Sequence, residues 1–177
     1  MKQNFFDQLD GGWGDVIADT YKKENAFKPP YKKSTYNNET SIELAEIYVK
    51  KPELVENKEL YFENGLEYIP GYSFYKTNII GDLIFPNSLK QIGLLAFANC
   101  KKLKGNLNLP NSIHFLGSRA FMNCGFTGDL VIPESVNYIG PYTFVGCNFA
   151  KIYVDKSNVN LFSENWNSGC DAEIVYY

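Results

Sequence analysis

The sequence predicts a mainly β repeat solenoid of about five coils, built on parallel strands, with an N-terminal helical cap and an extended arm ahead of the cap. Three observations carry this expectation. The first is a fixed period: Pro86, Pro110 and Pro133 are 24 and 23 residues apart, and Cys100, Cys124, Cys147 and Cys170 step by 24, 23 and 23. A repeat of this size cannot bury its apolar face alone, and stacking successive copies makes one continuous core. The second is alternation. Leu60, Leu83, Leu107, Leu130 and Ile152 form one column, and Phe62, Phe85, Leu109, Ile132 and Val154 form another two residues on, the mark of a short strand with one face inward. The third is composition: 177 residues at 45% hydrophobic content suffice for a single packed core, so global disorder is excluded.

Residues 1–40 read as an arm. Phe5, Phe6 and Leu9 precede a break at Gly11, Gly12 and Gly14, with Trp13 inside it. Asp15 is placed well for the positive end of a short helix dipole over 15–24, and Pro29 and Pro30 then exclude helix and strand interior alike. Two readings of the arm stay open: a tail or cover for the solenoid, or a partner-binding and assembly arm anchored by Phe5, Phe6 and Trp13. Residues 41–59 read as a helical cap. Thr40 and Glu43 have capping-box spacing, Ile42, Leu44, Ala45 and Val49 supply an apolar side, and Pro52 stops the helix. Its expected place is over the open first coil, whose core edge needs a cover.

The solenoid proper spans 60–177. At Pro86, Pro110 and Pro133 a proline ends the strand because it cannot donate to the ladder. Leu66, Leu89, Ile113 and Val136 then point inward, followed by Ile69, Ile92, Leu116 and Ile139, and by Phe74, Phe97, Phe121 and Phe144. Gly93, Gly117 and Gly140 share one bend, where the expectation is a backbone that needs unusual dihedrals. Ser73, Ala96, Ala120 and Thr143 are small where coils approach closely. The last coil is degraded, with Asp155 in place of proline and Trp166 in place of phenylalanine. The segment 173–177, from Glu173 to Tyr177, is spaced to begin a sixth strand and to leave a bare edge.

The pattern Leu-x-Ile-Pro-x-Ser-Val-x-x-Ile-Gly-x-x-x-Phe-x-x-Cys, fullest at 130–147, resembles the BspA-like leucine-rich repeats. The resemblance covers about two thirds of the chain. It implies a short right-handed leucine-rich-repeat solenoid and a non-enzymatic surface for binding protein, of a kind common in bacterial surface antigens, protists and phage genomes. The opening residues do not read as a secretion signal, since the apolar run stops after Phe5 and Phe6. That shifts the expectation from an adhesin to a phage or microbial protein of the cytoplasm, or of a virus particle assembled there.

Charge excludes other classes. The formal net charge is −3, and the lysines come as isolated doublets rather than a stripe, so the electrostatic footprint of nucleic-acid binding is missing. No stretch approaches the length of a membrane span. Of 17 basic residues only Arg119 is arginine, and the bias toward Lys, Asn, Ile, Tyr and Phe is that of an AT-rich genome. No Cys-x-x-Cys spacing exists, so the cysteines read as small hydrophobes packed between coils rather than as zinc ligands or disulfides. His114 falls in a polar outward column with Glu67, Lys90 and Asn137, and Asp82, Asn106 and Asp129 follow glycine in turns. With no nucleophile–base pair and no phosphate-binding loop, no catalytic residue, cofactor or metal is expected.

The candidate site is therefore a surface for a protein partner. Tyr61, Ile84, Val131 and Tyr153 lie in one outward column, Tyr68, Phe115 and Tyr138 in a second, and Leu95, Arg119 and Tyr142 in a third. Outward positions on a soluble solenoid should be polar; these are aromatic or aliphatic, and stacking is expected to set them side by side as one interface patch. The competing expectation is assembly, as a homo-oligomer or in a virion, through the arm and the edge at Glu173–Tyr177.

Overall fold

A computed structural model of the chain describes residues 26–27, 56–60, 62 and 64–177. The expected helix over 15–24, the helical cap over 41–51 and the anchors Phe5, Phe6 and Trp13 lie outside the described residues, as does Tyr61.

The strands are β1 (Ala26–Phe27), β2 (Glu59–Leu60), β3 (Tyr68–Ile69), β4 (Gln91–Ile92), β5 (Lys104–Gly105), β6 (Phe115–Leu116), β7 (Gly125–Val131), β8 (Tyr138–Ile139), β9 (Asn148–Val154) and β10 (Glu173–Tyr176). Every pairing between them is parallel. Residues one repeat apart lie opposite one another, as the period requires: Leu130 opposes Ile152, and Ile152 opposes Ile174. The sixth strand expected at 173–177 is β10, the last in the order β5–β7–β9–β10. Bridges Gly81↔Leu103 and Ile84↔Asn108 carry this first sheet back into the earlier coils.

One feature differs from expectation. Each of the first four coils contributes a second short strand, and these form a separate sheet, β3–β4–β6–β8. At two residues each, they are too short to show alternation in the sequence. The N-terminal edge also carries a strand. There β1, from the expected arm, pairs in register with β2 and gives the first-sheet edge a covering strand.

The core fills the space between the sheets. The rings of Phe74, Phe97, Phe121 and Phe144 stack in one file, with centroids 5.2, 5.5 and 6.1 Å apart. Trp166 closes that file edge-on against Phe144 at 6.2 Å, which confirms its place in the phenylalanine column. Backbone hydrogen bonds run between coils at the bends as well as in the sheets, for example Gly93 N–H to Ile69 O and Gly117 N–H to Ile92 O, both at 2.8 Å.

The glycine column has a different cause from the one expected. None of Gly93, Gly117 and Gly140 adopts a positive φ. A Cβ on Gly117 would lie 2.5 Å from both Gly93 C and Leu94 N of the preceding coil, and Gly93 and Gly140 meet the backbones of Gly71 and Ser118 in the same way. Close approach of backbones, rather than dihedral freedom, excludes a side chain there. Positive φ belongs instead to other glycines, among them Gly81, Gly105 and Gly128 at +83°, +78° and +76°, which lie on the first-sheet rungs themselves, Gly81 at a bridge to Leu103, Gly105 in β5 and Gly128 at the irregularity of β7.

Candidate functional site

The structure divides the candidate residues between the two sheets. Ile84, Val131 and Tyr153 point outward from the first sheet, where Val131 opposes Tyr153 and Ile84 opposes Asn108. Ile84 and Val131 are 65% and 55% exposed, among the most exposed large apolar side chains described. Charge surrounds them: Asp129 opposes Lys151 in the neighbouring outward column, and Lys151 pairs with Glu173 at 3.2 Å. Shallow grooves flank both residues, one of 330 Å³ beside Ile84, Asn87 and Pro110 and one of 470 Å³ beside Val131, Glu134 and Tyr177.

The second sheet carries Tyr68, Gln91, Phe115 and Tyr138 on its outer face, each in register with the next. Alternation fixes this, because Ile69, Ile92, Leu116 and Ile139 of the same strands are fully buried. Phe115 and Tyr138 stack at 4.9 Å with their planes 12° apart. Half-burial pushes the Tyr68 hydroxyl above its ordinary pKa, and its hydrogen bond with the Gly71 backbone pulls the other way. Four residues further along these coils come Tyr72, Leu95, Arg119 and Tyr142, all left-handed, with φ between +54° and +61°. Their N–H groups donate to the next coil, to Leu94, Ser118, Pro141 and Asn165 carbonyls at 2.7–3.1 Å. Arg119 lies over the Tyr142 ring at 5.1 Å, and Tyr72 meets Tyr75 edge-on at 5.8 Å.

The structure thus brings Tyr68, Phe115, Tyr138, Leu95, Arg119 and Tyr142 to one side of the coil and sets Ile84, Val131 and Tyr153 on another, where a single patch was expected. The physical reason is the turn between the two strands of a coil, which rests on Pro86, Pro110 and Pro133 in the second to fourth coils, as in the hydrogen bond from Leu89 N–H to Pro86 O at 3.0 Å.

The reactive groups are occupied structurally. Cys100, Cys124 and Cys147 are free and buried, and their thiols donate to the Phe74, Phe97 and Phe121 carbonyls of the preceding coil at 2.9, 3.1 and 3.1 Å. Burial pushes Cys100 and Cys147 up to about 12 and lifts Cys124 well above its ordinary value, so none is a thiolate near neutrality. His114 is exposed, with Nδ1 2.9 Å from the Ser135 carbonyl oxygen. Sequence reasoning missed a serine ladder: Ser88, Ser112 and Ser135 donate to the Leu66, Leu89 and Ile113 carbonyls at 2.8, 2.7 and 2.6 Å. The recurring Pro-x-Ser spacing was its only signal. Among the described residues no group of three His, Cys, Asp or Glu side chains could hold a metal ion, and no helix is long and apolar enough to cross a membrane.

A family model described as "BspA type Leucine rich repeat region" matches residues 53–173 in six copies. No curated protein and no solved structure matches the chain. Leucine-rich repeats generally mediate protein–protein interaction, and the solenoid they build is typically a non-catalytic binding scaffold.

Proposed function

Because the chain belongs to the BspA-type leucine-rich repeat family, we propose that it is a non-catalytic protein-binding module whose partner docks on outward side chains of the solenoid. The observation that carries this is the outer face of the second sheet, where Phe115 and Tyr138 form a half-exposed aromatic stack in register across adjacent coils. Rings in that position add little to the core yet offer rigid apolar area at small entropic cost, as binding anchors do. The AT-rich composition favours a phage or microbial chain, with a host or cellular protein as the partner. The test is capture from an extract of the organism that encodes the protein. Tyr138→Ser should remove the captured protein and leave the melting temperature within a few degrees, since one exposed aromatic pair contributes only about 1 kcal/mol. A large fall in melting temperature would place the ring in the core and end this reading.

A second reading, assembly of copies, has one specific observation in its favour. The outer edge of β10 carries no strand partner among the described residues, and Tyr176 and Tyr177 beside it are 53% and 55% exposed. Unpaired strand edges template further pairing. Light scattering over a wide concentration range tests it, and a constant monomer mass at high concentration removes it.

A further inference from the structure

The two sides of the coil differ in charge, and the difference is not compositional. The stretches 68–75, 91–98, 115–122 and 138–145, which run through the second sheet and the left-handed bend after it, hold a single charged residue, Arg119, in a chain that is 21% charged. Their inward positions are core and would be neutral anyway, but their solvent-reaching positions are also neutral, with Leu94 37% exposed and Tyr68, Tyr72, Tyr138 and Tyr142 half-buried. The first sheet, by contrast, exposes Asp82, Lys104, Asp129 and Glu173. Depletion of charge around aromatic residues and an arginine is the composition of an interface centre.

The left-handed bends give independent support. Besides the glycine column of Gly81, Gly105 and Gly128, two columns of the repeat adopt a positive φ. One is Lys76, Asn99, Asn123, Gly146 and Gly169, at +54° to +74°, and four of its five members are Asn or Gly, the residues that accept this conformation most readily. The other is Tyr72, Leu95, Arg119 and Tyr142, at the same φ, with neither Asn nor Gly. Stacking needs only the backbone N–H at that bend. Side chains that strain the backbone therefore occupy positions that glycine would fill more easily, which is where function stores strain.

Arg119 sits on the third of the four rungs of this face. No carboxylate among the described residues pairs with it, and its guanidinium rests on the Tyr142 ring. Of the charges at the rims, Lys76 is a second cation, over the Tyr75 ring at 4.9 Å, Glu67 is already paired with Lys90 at 3.2 Å, and the exposed Glu164, beside the Asn165 whose carbonyl accepts from Tyr142, makes no ion pair with Arg119. We infer that the neutral face around Arg119 is the docking surface for a protein partner that presents a carboxylate side chain, Asp or Glu, among apolar groups. An unpaired planar guanidinium held on a ring is preorganised for a two-pronged contact with a carboxylate, and the surrounding apolar area shields that contact from water.

The inference rests on the protein-binding reading, and its test separates the two. Short random peptides on a display library are selected against the full chain, and the leading sequence is made synthetically. The expected leader carries an Asp or Glu flanked by apolar residues. Its affinity should fall about tenfold when that residue becomes Asn or Gln, and equally on Arg119→Gln, the loss of one charge-assisted pair. Arg119→Lys should restore part of the loss, and both variants should melt as the parent does, since the side chain is exposed. Leaders without an acid, indifferent to Arg119→Gln and weakened by Ile84→Ser or Val131→Ser, would overturn this inference and leave protein binding standing on the first sheet. No enrichment over an uncoated surface would overturn both.

Discussion

Replacing Gly117 by Ala tests why a glycine recurs at one bend of every coil. The added Cβ would sit 2.5 Å from Gly93 C and Leu94 N, against 3.4–4 Å for ordinary contact, so the coils must part locally by about 1 Å. The hydrogen bonds on either side, Gly117 N–H to Ile92 O and Gly140 N–H to Leu116 O, are both 2.8 Å long. An extra ångström takes them past the distance at which a hydrogen bond persists. Two such bonds contribute about 1 kcal/mol each, and overpacking adds about 1–3 kcal/mol, so the expected loss is about 3–5 kcal/mol. Urea unfolding reads this as a midpoint lower by about 1–2.5 M for a slope of about 2–3 kcal/mol per molar. Asparagine separates the steric cause from the conformational one, because it tolerates left-handed backbone but is larger than alanine. Gly117→Asn should be at least as damaging as Gly117→Ala. At Gly105, where φ is +78° and the nearest atom is Oδ1 at the end of the exposed Asp82 side chain, Asn should be milder than Ala. A milder effect of Asn than of Ala at Gly117 would refute the steric account.

The cysteine ladder yields two further predictions. In denaturant the protein should titrate four free thiols. In the native state at mildly alkaline pH the half-buried Cys170 should react first and Cys100, Cys124 and Cys147 only as fast as the fold opens; fewer than four thiols, or Cys124 reacting with Cys170, would contradict the packing described. The raised pKa values also set a direction for pH. Unfolded thiols ionise near their ordinary value of 9.0, whereas Cys100 and Cys147 keep their protons to about 12. Between those limits the unfolded state binds fewer protons, so stability is full below about pH 9 and falls above it by about 1.4 kcal/mol per pH unit for each buried thiol. Unfolding curves of Cys100→Ala across that range should decline less steeply than those of the parent, and equal slopes would count against the assignment.

Much of this fold is legible in the sequence because stacking writes the same constraint into every coil. Leu83, Leu107, Leu130 and their equivalents recur because each must fill the same slot, and Trp166 could be placed in the phenylalanine column by count alone. The second sheet was not legible, because a strand such as Tyr68–Ile69 gives one inward and one outward residue and no alternation to detect. Gly117 was read for its conformational freedom because sequence reports that a side chain is excluded, not which neighbour excludes it.

The outward columns were legible as columns, but their division between two sheets was not, and the reason is general to such repeats. Period tells which residues lie above one another. It does not tell which columns share a side of the coil, because that depends on where the chain turns within each repeat. Here one turn rests on prolines, which announce themselves, and another rests on Tyr72, Leu95, Arg119 and Tyr142, whose left-handed backbone is imposed by hydrogen bonds to the next coil. No propensity scale places a bend at Leu95 or Tyr142. The residues most informative about the binding face are thus the ones whose local conformation the sequence conceals, since side chains chosen for what they present outward displaced the glycine or asparagine that would have marked the turn.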